Sequence, residues 1–200
     1  DGTVAIGYEA GKSLTTGSAN VAIGKQAFDA NQTGNQNTVV GHQAMSDADG
    51  TESNNTAIGY LALTSLNEDG INRNTAIGHS ALASSQTGAS NTAIGSRAMA
   101  NANVSGDNNT AVGESAGIAL TTGDNNTVIG SQAGVAINTG AANTLVGKAA
   151  GTGVTSGNTN VAMGGDSMYY GTTVSQSVAI GKNAGAGDTG NNNTAVGYNV

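Results

Sequence analysis

Two histidines are the residues in this sequence best suited to metal binding or acid–base chemistry. His42 and His79 each directly follow a glycine of a recurring pattern, at a position that elsewhere holds tyrosine, lysine, serine, glutamate or glycine. So variable a position is typical of a solvated surface. If the pattern stacks as β-structure, the two rings stand roughly 10 Å apart, which is too far to share a metal ion. Because the chain also has no cysteine, we predict no zinc site and no cofactor.

Acidic residues cluster in two places where the chain departs from its usual pattern. Asp47, Asp49 and Glu52 lie in the first segment, and Glu68 and Asp69 lie in the second, one repeat later. The first segment faintly resembles a calcium loop, but the ligand spacing and the flanking helices of an EF-hand are missing. We interpret both segments as solubilising charge on one side of the molecule and as candidate surface-recognition residues. A bound cation is the alternative.

Motifs for nucleotide binding and catalysis do not have the context that they need. The string at 185–190 matches a dinucleotide fingerprint, but it leads into another copy of the repeat and not into a helix. No serine, histidine and aspartate fall in a pattern that would bring them together as a hydrolase triad. A polysaccharide-cleaving enzyme would need paired carboxylates across a groove, and the acidic segments are their only source. We therefore predict that the chain is not an enzyme.

Met168, Tyr169 and Tyr170 form the least typical stretch of the chain. Aromatic residues make up only 3% of the sequence, yet two tyrosines stand side by side here. An exposed tyrosine pair on a polar surface is a candidate recognition spot. The alternative, which the sequence favours, is that the two rings pack beneath a bent loop.

The repeat that must position these residues is clearest in Asn-Thr-Ala-Ile-Gly at 55–59. Variants recur along the whole chain, and we call the closing glycine of each copy the anchor glycine and the stretch from one anchor to the next a coil. The spacing of 16 to 19 residues is typical of a solenoid, in which each repeat packs only on its neighbours. The anchor glycines are Gly7, Gly24, Gly41, Gly59, Gly78, Gly95, Gly113, Gly130, Gly147, Gly164, Gly181 and Gly197.

The residues before each anchor predict a short β-strand. The last residue is Ile, Val or Met, the one before it is mostly Ala, and the third from the anchor is Thr or Val. Such a β-branched run alternates between two faces, so Thr and Ile share the face that we expect to point inward. The fourth residue before the anchor is Asn in nearly every coil, and these side chains are predicted to form an amide ladder along the stack.

Together these columns predict an all-β parallel β-solenoid (β-roll) of twelve coils of about 17 residues, with residues 1–200 forming a single domain. At about 4.8 Å per coil, the rod would be roughly 55–60 Å long. A core of one Ile or Val and one Ala per coil is thin, so we expect several chains to pack side by side. Neither end shows a capping pattern, which predicts a segment of a longer fibre or units that join end to end.

The charge and hydropathy of the chain exclude two classes of partner. The net charge is −7, and the six basic residues are scattered, so the basic patch of a nucleic-acid-binding protein is missing. No apolar run approaches the ~20 residues that span a bilayer, and no signal-peptide pattern is present. We predict no nucleic-acid partner and no membrane contact within this segment.

The repeat resembles that of a known family. The motif Val-Ala-Ile-Gly at 21–24 and Ser-Val-Ala-Ile-Gly at 177–181, each followed by Ala three residues later, is similar to the head repeats of trimeric autotransporter adhesins, the YadA-like head. The longer form at 121–130 is similar to arrays in phage tail fibres and related bacterial surface fibres. The resemblance covers the whole chain. It implies a left-handed β-roll, three chains side by side and an adhesive or spacer role outside the cell, although coils of about 17 residues are several residues longer than is usual in the family.

We therefore expect a non-enzymatic structural or adhesive module of a fibre on a bacterial surface or a virion, with itself and a cell, matrix or glycan receptor as partners. Repeated columns favour many weak contacts, whose avidity replaces a single deep site. The alternatives are an end-to-end filament and an ice-binding solenoid that uses a threonine row. An inward Thr–Ile face argues against ice binding. The row comprises Thr38, Thr56, Thr75, Thr92, Thr110, Thr127, Thr144 and Thr194.

Overall fold

The β-branched runs form strands in a computed structural model, which describes residues 2–48, 50–66, 72–85, 87–100, 103–187 and 190–200. Each strand has three residues and ends directly before an anchor glycine, and no helix occurs in these ranges. The strands are β1 (Val4–Ile6), β2 (Val21–Ile23), β3 (Thr38–Val40), β4 (Thr56–Ile58), β5 (Thr75–Ile77), β6 (Thr92–Ile94), β7 (Thr110–Val112), β8 (Thr127–Ile129), β9 (Thr144–Val146), β10 (Val161–Met163), β11 (Val178–Ile180) and β12 (Thr194–Val196).

These strands form one parallel sheet in which sequence order and spatial order are the same, from β1 to β12. Equivalent residues of successive coils pair directly, so that Ile58 of β4 lies beside Ile77 of β5. Each of the eleven connections between neighbouring strands is therefore one turn of a solenoid, so the array makes about eleven turns and not the predicted twelve. This topology confirms the predicted parallel β-solenoid and the predicted superposition of repeat columns.

The predicted direction of the strand faces is wrong for the single chain. From β2 to β11 the middle residue of each strand, usually Ala, is at most 1% exposed. The Thr or Val before it and the Ile, Val or Met after it are half-buried or exposed. The alanine column therefore points into the solenoid. The threonine and isoleucine columns form its outward face, the name that we keep for this surface.

Larger apolar side chains opposite the alanine column fill the core. In one set of coils the fourth residue after the anchor is large and fully buried, as in Phe28, Met45, Leu63, Leu82 and Met99. In another set that position is glycine, and a large residue three positions later fills the same space, as in Leu120, Ile137 and Val154. A large residue at one position is thus matched by a small residue at the other. The space at Gly134 is already filled, because a methyl group added there would lie 3.0 Å from Leu145 and 3.1 Å from Val128. Most coils thus have a large core residue at one of these two positions, and the coil that begins at Gly59 has one at both, Leu63 and Leu66.

The anchor glycines are required by backbone geometry and by the contact between coils. Their φ angles lie between +124° and +142°, which L-residues with side chains rarely adopt. A Cβ atom at Gly78 would also lie 2.6 Å from the carbonyl oxygen of Gly95 in the next coil. A second glycine column stands seven residues before the anchor, and there a Cβ at Gly123 would clash with the oxygen of Gly140. Both columns therefore allow neighbouring backbones to approach closely.

Each coil also bends at residues other than glycine. Positions two and four after the anchor and five before it repeatedly have φ near +55°, as in Gln132 (59°), Leu63 (52°) and Ala142 (57°). Side chains other than Asn and Gly disfavour this left-handed conformation. The bends persist because backbone hydrogen bonds between coils hold them, such as the bond from the N–H of Gln132 to the oxygen of Glu114 at 2.9 Å.

Candidate functional site

The outward face is a regular surface that runs along all twelve strands. Apolar side chains run along it on every strand, with exposures such as 37% for Ile94, 38% for Ile129 and 42% for Met163. Twelve strands at about 4.8 Å and three residues at about 3.3 Å give the sheet an outline of about 550 Å², which the isoleucine column shares with the threonine column. The largest apolar patch of a typical monomer covers about 300–600 Å² and is often functional. This surface therefore has the features of an interaction site.

A short stack of rings borders the outward face, one residue beyond the anchors. The Tyr60 ring lies between the rings of His42 and His79, with centroids 5.4 Å apart on each side. All three residues are exposed, which confirms the predicted surface position of the histidines. Because the histidines stand on opposite sides of Tyr60, they cannot bind one metal ion together. Among the described residues, no group of three or more His, Cys, Asp or Glu is placed to hold a metal.

The first acidic segment does not form one surface. Asp47 is exposed and accepts a hydrogen bond from the Ser46 hydroxyl at 3.2 Å. Glu52 is 0% exposed, and its carboxylate accepts hydrogen bonds from the Asn31 amide at 2.5 Å and from the N–H of Gly50 at 3.2 Å. A buried carboxylate cannot contact a receptor, so the interpretation of Glu52 as a surface-recognition residue is wrong.

The other acidic candidates, Asp49, Glu68 and Asp69, lie outside the described residues. The predicted proximity of the two acidic segments on one side of the rod therefore stays a prediction. The same holds for a pair of carboxylates that span a groove between them.

The asparagine column is buried and forms two kinds of contact between coils. The side-chain oxygen of Asn126 accepts from the backbone N–H of Asn143 at 3.0 Å and from its side-chain amide at 3.1 Å. The side-chain amide of Asn126 donates to the oxygen of Gly140 at 2.8 Å. The predicted amide ladder is confirmed, and the bonds to backbone groups of the next coil make it more extensive than the repeat alone indicates. This column is inaccessible to ligands and is a structural element.

Tyr169 and Tyr170 pack against each other edge to face, with ring centroids 4.7 Å apart and an interplanar angle of 79°. Tyr170 is 67% exposed and Tyr169 is half-buried, so the rings do not lie beneath a loop. They border a cleft of about 640 Å³ beside the last residues of the array, Asn199 and Val200, which Asp166 and Asn183 also line. We call this space the tyrosine cleft. Of the residues proposed for recognition, this pair has an accessible concave site beside it.

Charged side chains form few contacts with one another in the described part of the chain. Lys12 and Glu9 form the one ion pair found among the described residues, at 2.9 Å. The hydrogen bond from Lys12 lowers the pKa of the Glu9 carboxyl. Burial raises the pKa of the Asp29 carboxyl, and the nearby Asp47 and Glu9 add to this effect.

Sequence reasoning identified the tyrosine pair but missed the outward face, because it placed the isoleucine column inside. The sequence does contain a signal for the core, which is a large apolar residue at the fourth or the seventh position after most anchors. At the fourth position, Phe, Met or Leu alternates with Gly, and this alternation indicates which positions fill the core. No helix in the described ranges is long and apolar enough to cross a membrane. No protein-family model, curated protein or solved structure matches the chain.

Proposed function

We propose that this chain is a structural module of an extracellular fibre in which three copies pack side by side through their outward faces. The observation that supports this proposal is the continuous strip of half-exposed Ile, Val and Met along the sheet. Water contact with such a strip is unfavourable, and each Å² removed from water contributes about 25 cal/mol. Identical columns on each copy allow the strips to meet in register around one axis. The left-handed winding implied by the family resemblance is part of the same proposal.

The outward face alone is smaller than a standard interface. A standard protein interface buries about 800 Å² on each partner, whereas the outline of the outward face covers about 550 Å² and would be shared between two neighbours. Residues that follow the anchors, such as Tyr60, border the strip and would add to the buried area. The rest of the surface, which is polar and repeated, stays free to present many equal contacts to a cell, matrix or glycan receptor.

Sedimentation equilibrium at several concentrations tests this proposal. We expect a mass three times that of one chain, and we expect Ile94→Lys to dissociate it because the new charge would be buried at the axis. Ile118→Lys is the matched control, since Ile118 is half-buried but lies outside the strands. A wild-type chain that stays monomeric at all concentrations would contradict the proposal. Growth beyond three copies with rising concentration would favour the end-to-end filament.

An ice-binding solenoid is the second candidate, because the threonine row lies on the outward face. Thr75, Thr92 and Thr110 are half-buried and pair in register on β5, β6 and β7, at intervals of about 4.8 Å. A flat row of regularly spaced hydroxyl and methyl groups suits a crystalline surface. Thermal hysteresis and faceted crystals from a monomeric chain would favour this function. A trimer without thermal hysteresis would remove it, because the row would then be covered.

A further inference from the structure

The stack of His42, Tyr60 and His79 lies in a patch of the surface without acidic residues. The patch consists of the first and second positions after five successive anchors, from Gly24 to Gly95, and we call it the ring patch. It contains two histidines, a lysine and an arginine but no aspartate or glutamate, although the chain has 13 acidic and only 6 basic residues. Unlike the tyrosine cleft, it has further coils of the array on both sides. Its members are Lys25, Gln26, His42, Gln43, Tyr60, Leu61, His79, Ser80, Ser96 and Arg97.

The stacked rings turn their edges to solvent. Tyr60 lies between the two imidazoles, with centroids 5.4 Å apart on each side and interplanar angles of 37° to His42 and 28° to His79. Both faces of the Tyr60 ring are therefore covered, while 44% of the residue stays exposed. The ring edges carry the tyrosine hydroxyl and the imidazole nitrogens. The stack thus presents hydrogen-bonding groups in a row along the rod.

The backbone beneath the rings is held by hydrogen bonds between coils. The N–H at the second position after an anchor donates to the oxygen of the first position in the preceding coil. Ser80 donates in this way to Tyr60 at 2.9 Å, and Arg97 donates to His79 at 2.9 Å. Because stacking also limits the rotamers of the rings, binding to their edges costs little conformational entropy of the protein.

Two permanent cations stand at the ends of the row. Lys25 occupies the position of His42 one coil earlier, and Arg97 lies in the coil after His79; both are exposed. The four steps from Lys25 to Arg97 cover about 19 Å at about 4.8 Å per coil. Histidine side chains change their charge between about pH 5 and 8, so the row gains up to two further positive charges as pH falls through this range.

Carboxylates in these two columns lie outside the ring patch. Glu9 stands two coils before the ring stack and forms an ion pair with Lys12 at 2.9 Å, and Glu114 stands two coils after the stack. Asp29 and Asp47 lie further along their coils, at the fifth and sixth positions after the anchor. The residues directly before the three anchors of the stack are Val or Ile, and the third residues after these anchors are Ala. The histidines therefore have Lys25, Tyr60 and Ser96 as neighbours in their own column.

We propose that the ring patch binds an acidic polysaccharide whose chain runs along the rod. Its carboxylate or sulfate groups accept hydrogen bonds from the imidazole N–H groups, the Tyr60 hydroxyl and the two terminal cations, and the charge-assisted bonds are the strongest of these. An extended acidic polysaccharide carries anionic groups at regular intervals, as the row carries donors. The proposal rests on the receptor-binding part of the proposed function and names its ligand class. It requires that the stack, which borders the outward face, stays accessible when copies pack together.

Isothermal titration calorimetry with the full chain, at about pH 5.5 and about pH 7.5, tests the proposal. The probes are polygalacturonate, which carries carboxylates, and heparin, which carries sulfates, so the two arms distinguish the source of the negative charge. Neutral dextran and a single-stranded DNA oligonucleotide serve for comparison. We expect at least one acidic polysaccharide to bind, about tenfold more tightly at the lower pH, because both histidines are then charged.

The double variant His42→Gln, His79→Gln is the main test, since glutamine keeps a hydrogen-bonding side chain but gains no charge. We expect it to bind about tenfold more weakly than the wild type at the lower pH and to lose the pH dependence. Arg97→Gln should weaken binding at both pH values, so the test does not depend on one variant. Lys148→Gln is the matched control, because Lys148 is exposed directly after an anchor outside the ring patch and should bind as the wild type does.

Several outcomes would overturn the proposal. These are binding of neither acidic polysaccharide, equal binding of dextran, tighter binding of the oligonucleotide than of both polysaccharides, an equal loss in Lys148→Gln, and an unchanged pH dependence in the histidine variant. A trimer that binds no acidic polysaccharide would refute this inference and leave the fibre intact. A monomer that binds one would contradict the three-chain packing and leave this inference intact.

Discussion

Replacing Asn126 by Ala tests whether the buried asparagine column holds successive coils together. Asn126 is 1% exposed and lies near the middle of the array. Its amide donates to the oxygen of Gly140 at 2.8 Å, and its oxygen accepts from the N–H of Asn143 at 3.0 Å. Alanine would leave both backbone groups buried without this partner. Because each such loss costs about 1–3 kcal/mol, we expect the free energy of unfolding to fall by about 2–6 kcal/mol.

Asn126→Ser divides this cost into its two parts. Serine already occupies the equivalent place at Ser177, where its hydroxyl oxygen accepts from the N–H of Asn193 at 3.1 Å. Serine at 126 should therefore keep the acceptor for Asn143 but leave the oxygen of Gly140 unpaired. We expect about half of the alanine effect, or about 1–3 kcal/mol. The order of stability should be wild type, serine variant, alanine variant.

Urea denaturation followed by circular dichroism, at one fixed protein concentration, measures these differences. Amide hydrogen exchange adds a local readout, since the N–H of Asn143 should lose protection in Asn126→Ala and keep most of it in Asn126→Ser. Asn138→Ala is the control, because Asn138 is exposed, and it should change stability by no more than about 0.5 kcal/mol. The reasoning is refuted if Asn126→Ala costs no more than this control or if protection of Asn143 does not change.

Three further predictions concern the backbone and one carboxyl group. Gly164→Ala should abolish or severely weaken folding, because φ is +126° and a Cβ would lie 2.7 Å from Gly181. Gly165→Ala is the control and should be tolerated, because the atom nearest to its Cβ would be 3.8 Å away. Urea midpoints measure both effects, and equal midpoints for the two variants would contradict the prediction. Ala142→Asn should raise the free energy of unfolding by up to about 1 kcal/mol, since φ is 57° and Asn tolerates this region; an unchanged urea midpoint would contradict this. Burial raises the pKa of Asp29 in the folded state, so the ionised form is disfavoured there and stability falls as pH rises from the unfolded to the folded pKa. Asp29→Asn should therefore raise the melting temperature at pH 7 relative to wild type but not at pH 3, and an equal effect at both values would be evidence against it.

The repeat itself predicted the architecture. Residues that recur at nearly constant spacing can lie beside their equivalents only if the repeats stack in register. Ile58 does lie beside Ile77. The asparagine ladder follows from the same argument, since identical amides in register can always donate to one another. The glycine columns were also recognisable, although their close contact with the next coil was not.

Features that break the repeat were harder to predict. Nothing in the first acidic segment distinguishes Asp47, which is exposed, from Glu52, which the Asn31 amide of another coil holds in the interior. The tyrosine pair was found because it is unusual, but its exposure depends on Ala186 and Gly187 in the neighbouring coil. Contacts between coils decide such details, and a single repeat does not contain them.

The sequence by itself determined where the strands lie, that they are parallel and in register, and which residues share a face. Only the tertiary structure decided which face points inward. Alternation with a period of two assigns the residues to two faces of a strand, but it does not indicate which face points into the solenoid. The interior of most coils already holds a large side chain from the turn, such as Met99 or Leu120. The room left at the middle of the strand takes alanine in most coils and Val39, Val128 or Leu145 in three, so this residue turns inward and isoleucine is left on the outside.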